Sequence, residues 1–339
     1  MRFVERRDAG FLAYWGLNQA LRALPLGARL KTARGLAAAC ARLWLFVAPV
    51  ERERTLANLR LILGPESATR DLARINQAHH EGHVLAFLLP DLLPSLTQAE
   101  IRAMSEVRGL EHLEAARAKG RGAVLLCGHI ITHGYMVIAA LAAHGIPLTA
   151  IAGEEATPVG ADEPDRSWVY RKLIHPMRRR PRDGLPMLRK GVIMDRRAVE
   201  VLKRNEVLWV QGDMHLTDEE AAREQMAIPV PFLWGTAALR TGPVRLAKVF
   251  GAPILPCLGH RDGLRIVLEI GEPLTLRAGN TRADLRADLR AYLDRLEPLI
   301  RARPDQWAFT RHEILPHWIK TAPDGQPSEQ PARQPEGIT

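Results

Sequence analysis

Four short apolar runs, residues 123–126, 147–152, 207–211 and 253–258, are separated by stretches whose apolar residues recur at helical spacing. Continuous runs of four to six such residues, rich in Val, Ile and Leu, read as strands buried on both faces. Strands of that kind alternating with helices imply an α/β fold with a largely parallel central sheet flanked by helices. The pattern assigns helices to 135–143, 192–203, 243–250 and 282–301, an alternating strand to 264–270, and a long irregular connection to 214–242. Residues 1 to about 120 read as helical, punctuated by Pro25, Pro49, Pro65, Pro90 and Pro94. Three parts are expected: N-terminal amphipathic, membrane-associating helices over 1–50, an α/β domain over 51–320, and a disordered Pro- and Gln-rich tail over 321–339.

Parallel strands all end on one edge of a sheet, where side chains stand exposed above a rigid base. The first run ends in Cys127-Gly128-His129, making His129 the principal candidate for a general base. A structural histidine at a strand end is the plainer reading of the same pattern. The third run ends in Gly212-Asp213, and the loop after the second carries Glu154 and Glu155. Any of these three acids can orient the imidazole. Cys127 reads as a small buried strand residue rather than a nucleophile. His133, four residues beyond His129, raises a two-histidine metal site, but no third ligand lies nearby in the sequence, and His133 is expected to bind substrate instead. Neither a metal nor an organic cofactor is expected. The run His79-His80-Glu81-Gly82-His83 is one residue too short for a zinc-protease motif and reads as a helix surface packing near the active region. Arg178, Arg179 and Arg180 suit bidentate binding of a phosphorylated group, or simply form a solvated basic face.

The net charge of +9 favours anionic partners such as lipid headgroups or an acidic carrier protein. Nucleic acid is not expected: aromatic residues are only 5% of the chain, and no zinc-finger or RNA-recognition signature is present. Three scattered cysteines make no disulfide framework, which points to a reducing, cytosolic face. No run reaches the roughly 20 uninterrupted apolar residues of a spanning helix. Phe11, Tyr14, Leu17, Leu21 and Leu24 recur every three or four residues between basic flanks. That amphipathic face suits either a membrane interface or packing on the domain core.

Several blocks, in this order, resemble the lipid A late-acyltransferase type (lauroyl and myristoyl transferases) of the bacterial lysophospholipid acyltransferase superfamily. They are Arg52-Glu53-Arg54-Thr55-Leu56-Ala57-Asn58-Leu59, the approach from Lys119 to His129, Val207 to Asp213, Thr241 to Pro256, and Pro304-Asp305-Gln306-Trp307. The likeness covers residues 10 to 320. It implies an enzyme at the cytoplasmic face of the bacterial inner membrane, peripheral or held by one N-terminal anchor. The donor would be an acyl thioester of acyl carrier protein or coenzyme A, and the acceptor a hydroxyl of a lipid or lipid-like molecule. The resemblance makes His129 the base. It also implies an Asp or Glu five positions after it, and this chain has Gly134 there. Three outcomes follow: another acid serves, His129 works alone, or the chain is a catalytically impaired relative that binds acyl chains or lipids.

Overall fold

A computed structural model describes residues 8–130, 134–152, 167–174, 176–177, 185, 187–189, 196–213 and 227–320. The first part is helical: α1 (Asp8–Ala23), α2 (Leu26–Val47), α3 (Pro49–Leu63), α4 (Leu72–Leu92) and α5 (Gln98–Ala103). Strands and helices then alternate: β1 (Ser105–Arg108), α6 (Leu110–Arg117), β2 (Ala123–Cys127), α7 (Gly134–Ala143), β3 (Leu148–Ala152), β4 (Met187–Arg189), α8 (Arg196–Lys203) and β5 (Val207–Gln211). They are followed by β6 (Ala227–Phe232), β7 (Gly235–Arg240), α9 (Gly242–Phe250), β8 (Ile254–Asp262), β9 (Arg265–Ile270), α10 (Arg282–Ala302) and α11 (Leu315–Trp318). Two 3-10 turns, Pro304–Gln306 and Ala308–Arg311, join α10 to α11.

The main sheet has the order β1-β9-β8-β2-β5-β3-β4. Pairs β8/β2, β2/β5, β5/β3 and β3/β4 are parallel, and β9 runs antiparallel to β8. The largely parallel sheet expected from the apolar runs is therefore present. The connection at 214–242 is not wholly irregular, because β6 and β7 form an antiparallel hairpin within it. Its alternation is hidden by Pro229 and Pro231, which sit at exposed positions of β6. The short edge strands β1 and β4 also lie in stretches read as helix or loop. At three or four residues each, they are too brief to show a period.

Strand β2 explains the two-sided core. Leu125 and Cys127 face a cluster built with Trp209, Leu255 and residues of α2, α4 and α7. Val124 and Leu126 face a second cluster with Leu208, Ile254, α9, α10 and Trp307. Each face is covered, so the strand has no polar alternation. The apolar face of α1 turns onto the first cluster through Tyr14, Leu17, Leu21 and Leu24. Phe11 lies 5.1 Å from the Tyr170 ring. Among the described residues no single helix is long and apolar enough to cross a membrane. Only α2 together with the helical stretch Pro49–Thr69 meets that test, and the pair is bent by 102°. The tail 321–339 lies outside the described residues.

Candidate active site

The register of β2 against β5 builds the site. Cys127 pairs with Gln211 across the parallel ladder, and the Gly212 N–H donates to the Cys127 carbonyl at 2.7 Å. Two residues beyond each member of that pair stand His129 and Asp213. A separation of 84 residues in sequence thus becomes a side-chain contact: His129 Nδ1 lies 2.6 Å from Asp213 Oδ1. The His129 backbone N–H donates to Asp213 Oδ2 at 2.8 Å. Trp307 Nε1–H donates to the same oxygen at 2.9 Å. Small residues let the tips approach. A Cβ on Gly128 would stand 2.7 Å from Leu296 of α10, and one on Gly212 would stand 2.7 Å from Leu126 and 2.8 Å from Tyr292.

Asp213 is 0% exposed, and the His129 side chain is 18% exposed. Burial by itself pushes the Asp213 carboxyl upward. The His129 charge, the two His129 N–H groups and the Trp307 indole outweigh it and hold that carboxyl below the usual aspartate range. The ionised acid accepts a hydrogen bond from Nδ1–H, which leaves Nε2 as the basic nitrogen of the ring. Phe309 closes one side of the imidazole, with ring centroids 4.8 Å apart.

Trp307 and Phe309 belong to a strap, residues 304–312, fastened at several points. The Ala308 N–H donates to the His129 carbonyl at 2.8 Å. His79 Nδ1–H donates to the Asp305 carbonyl at 2.9 Å, and Asn58 donates to the His312 carbonyl at 2.9 Å. Gln306 exchanges two hydrogen bonds with the Arg261 backbone. The His79 run is thus a helix face that packs near the active region, as expected, with His79 and His80 themselves buried, 1% and 2% exposed. Burial, only partly offset by the bond to Asp305, depresses the His79 pKa to about 3. Among the described residues no group of three or more His, Cys, Asp or Glu is arranged to hold a metal.

Gly134 opens α7 beneath the ring of Trp209. A Cβ at this position would lie 2.9 Å from Trp209 Cη2. The indole thus fills the room in which a carboxylate at position 134 would sit. A small open pocket lies beside these residues, lined by Cys127, His129, Ile130, Val137, Trp209 and Leu268 among others. The Cys127 thiol is buried, and desolvation first, then the neighbouring Cys257, pushes its pKa well above the usual range. That opposes a nucleophilic role. His133, Glu154, Glu155, Arg178, Arg179 and Arg180 lie outside the described residues.

Of the sequence candidates, the structure brings His129 and Asp213 together. Trp307, Phe309 and Trp209 escaped assignment to the site. Nothing local to Trp307 marks a role, and Trp209 is indistinguishable from any other apolar strand residue. A model of the bacterial lipid A biosynthesis acyltransferases matches residues 2–313, nearly the whole chain. The chain belongs to that family. Membership confirms the resemblance read from the ordered blocks and makes the protein a member of a transferase family whose acyl acceptor is a lipid. No curated protein matches the chain.

Proposed function

We propose that this lipid A acyltransferase relative moves a fatty acyl group from a thioester of acyl carrier protein or coenzyme A to a hydroxyl of a lipid acceptor. His129 is the general base and Asp213 its orienting acid. One observation carries the reading: the 2.6 Å contact between His129 Nδ1 and a fully buried, ionised Asp213 at adjacent strand tips. It gives the chain the acid that Gly134 cannot supply, by way of a different strand.

His129 Nε2 takes the proton of the acceptor hydroxyl as its oxygen attacks the thioester carbonyl carbon. Asp213 stabilises the imidazolium and fixes the tautomer. The new C–O ester bond forms, the C–S bond breaks, and the departing thiolate takes the proton from His129. The cleft beside His129, walled by Val137, Trp209 and Leu268, suits the apolar start of the acyl chain. The positive charge of the chain suits an acidic carrier and anionic lipid. The work is done at the cytoplasmic face of the inner membrane.

Transfer of a labelled acyl group from a panel of acyl thioesters, compared between the wild type and His129→Ala, tests this. Turnover by the wild type alone is expected. Equal turnover by both removes His129 as base, and transfer by neither favours a lipid-binding protein without catalysis.

A further inference from the structure

Arginines drawn in from the surface need partners for five N–H donors and one charge. Arg29 bonds the carbonyls of Arg22 and Leu24 and the Ser95 hydroxyl. Arg290 pairs with Asp294 and Glu297, and Arg311 with Glu51. Arg261, near the end of β8, does neither. Among the described residues no carboxylate stands within ion-pair distance of its guanidinium, and no group accepts a hydrogen bond from it. Its side chain is nevertheless largely buried, and desolvation lowers its pKa more than any neighbour does.

The place it occupies is built for it. The Arg261 N–H donates to Gln306 Oε1 at 2.6 Å, and Gln306 Nε2 donates to the Arg261 carbonyl at 2.9 Å, so the strap clamps the backbone on both sides. A Cβ on Gly82 of α4 would stand 2.9 Å from a terminal nitrogen of the guanidinium. Glycine at that helical position gives the group its room. Arg34 of α2 faces it as a second cation, and Asp305 and Glu81 face it as anions without closing on it. The Glu81 carboxylate accepts from Gln77 at 2.9 Å instead. Direction matters too. Cys257, Gly259 and Arg261 alternate onto one face of β8, and the first two line the pocket beside His129. At about 3.4 Å per residue, Arg261 stands roughly 7 Å past Gly259, on the continuation of that pocket wall.

We infer that Arg261, with Arg34 beside it, receives a phosphate group carried by one of the two substrates. A guanidinium is a rigid planar fork that matches phosphate bidentately. Held without a counter-ion, it carries a desolvation cost that a bound anion repays. Two cations turned toward one space also repel until an anion lies between them. The inference rests on the proposed acyl transfer, which supplies the anion: both thioester donors hold the acyl group on a pantetheine arm joined through phosphate, and a lipid acceptor can carry phosphate as well. It adds the residue that reads this group. The arginines expected for that task from the sequence, Arg178, Arg179 and Arg180, lie outside the described residues.

The test is equilibrium binding of two matched probe pairs to the full chain: 4′-phosphopantetheine against pantetheine, and a lipid A precursor against the same lipid after phosphatase treatment. The wild type should prefer the phosphorylated member of one pair by at least about tenfold, and that pair names the substrate whose phosphate is read. Arg261→Met should lose the preference. It should melt at or above the wild-type temperature, because it removes a buried charge that has no partner in the protein. No preference by the wild type in either pair overturns the inference, and so does a preference that survives in Arg261→Met. A markedly lower melting temperature for Arg261→Met also overturns it, since Arg261 is then a structural counter-ion to Asp305. Binding needs no turnover, so a protein that prefers the phosphorylated probe yet transfers no acyl group would sink the catalytic proposal alone.

Discussion

Replacing Gly134 with Ala puts one methyl group where the structure has none to spare. The new Cβ would stand 2.9 Å from Trp209 Cη2, inside any normal carbon–carbon contact. The indole cannot easily retreat, because Trp209 is 2% exposed and packed within the first core cluster. Overpacking of this kind costs about 1–3 kcal/mol. Exchanging glycine for alanine in a helix returns up to about 1 kcal/mol, and less at the first residue of α7, where Gly134 sits. The expected net loss is about 1–2 kcal/mol, read as a lower urea midpoint at unchanged slope. The cause can be isolated by repeating the exchange in a Trp209→Leu background. The smaller side chain removes the clash, so the penalty should vanish there and leave a coupling of about 1–2 kcal/mol in the cycle. A Gly134→Ala variant as stable as the wild type, or one equally penalised without the indole, would refute the claim that Trp209 excludes a side chain at 134.

Trp307→Phe keeps most of the ring but removes one of the three hydrogen bonds to Asp213. A hydrogen bond to a charged group contributes about 1.5–3 kcal/mol. If part of that is felt at the transition state, kcat falls by about tenfold or more with little change in KM, and an unchanged kcat would dismiss Trp307 as a positioning residue. The Asp213 carboxyl is held below its ordinary range, so its stabilisation is full above that range and is lost as pH falls through the lowered value. Urea unfolding between about pH 5 and pH 2 should show a smaller acid loss in Trp307→Phe. His79 has a folded pKa of about 3 against an ordinary 6.5, so the unfolded chain binds the extra proton and stability drops as pH falls between those values. His79→Gln should flatten that slope, and an identical pH profile would show that His79 is not buried neutral. Cys127→Ala should retain acyl transfer, whereas loss to background would install the thiol as nucleophile.

The sheet was legible because β2, β3, β5 and β8 are buried on both faces and stand out as uninterrupted apolar runs. Bounds came out within a residue at most ends, except that β8 runs on to Asp262, past the end of its apolar run, where it pairs with β9 as an antiparallel ribbon. The hairpin β6/β7 was hidden by its prolines, and β1 and β4 by their brevity. At the site, strand-tip logic brought His129 and three acids to one edge but did not rank the acids. Ranking them needs the register, Cys127 against Gln211, and register is a property of paired strands rather than of either run alone. The strap was illegible for a similar reason. Trp307 reaches Asp213 across 94 residues, and its hold depends on tethers from α3, α4 and β8 that no local pattern encodes. The pattern of α1 was read correctly as amphipathic, but amphipathicity is silent on whether lipid or core receives the apolar face. The core receives it here.

In the proposed mechanism Asp213, just beyond the end of β5, serves His129 in place of an acid at position 134. Acyl transfer rates of Asp213→Asn measured beside Glu154→Gln and Glu155→Gln test it most directly. Asparagine preserves shape but cannot stabilise the imidazolium, and the loss of the corresponding acid in a well-characterised triad costs about 10⁴ in kcat. A fall of roughly two to four orders of magnitude is expected for Asp213→Asn, with both glutamine variants close to the wild type. Undiminished transfer by Asp213→Asn, with collapse in either glutamine variant, would contradict it.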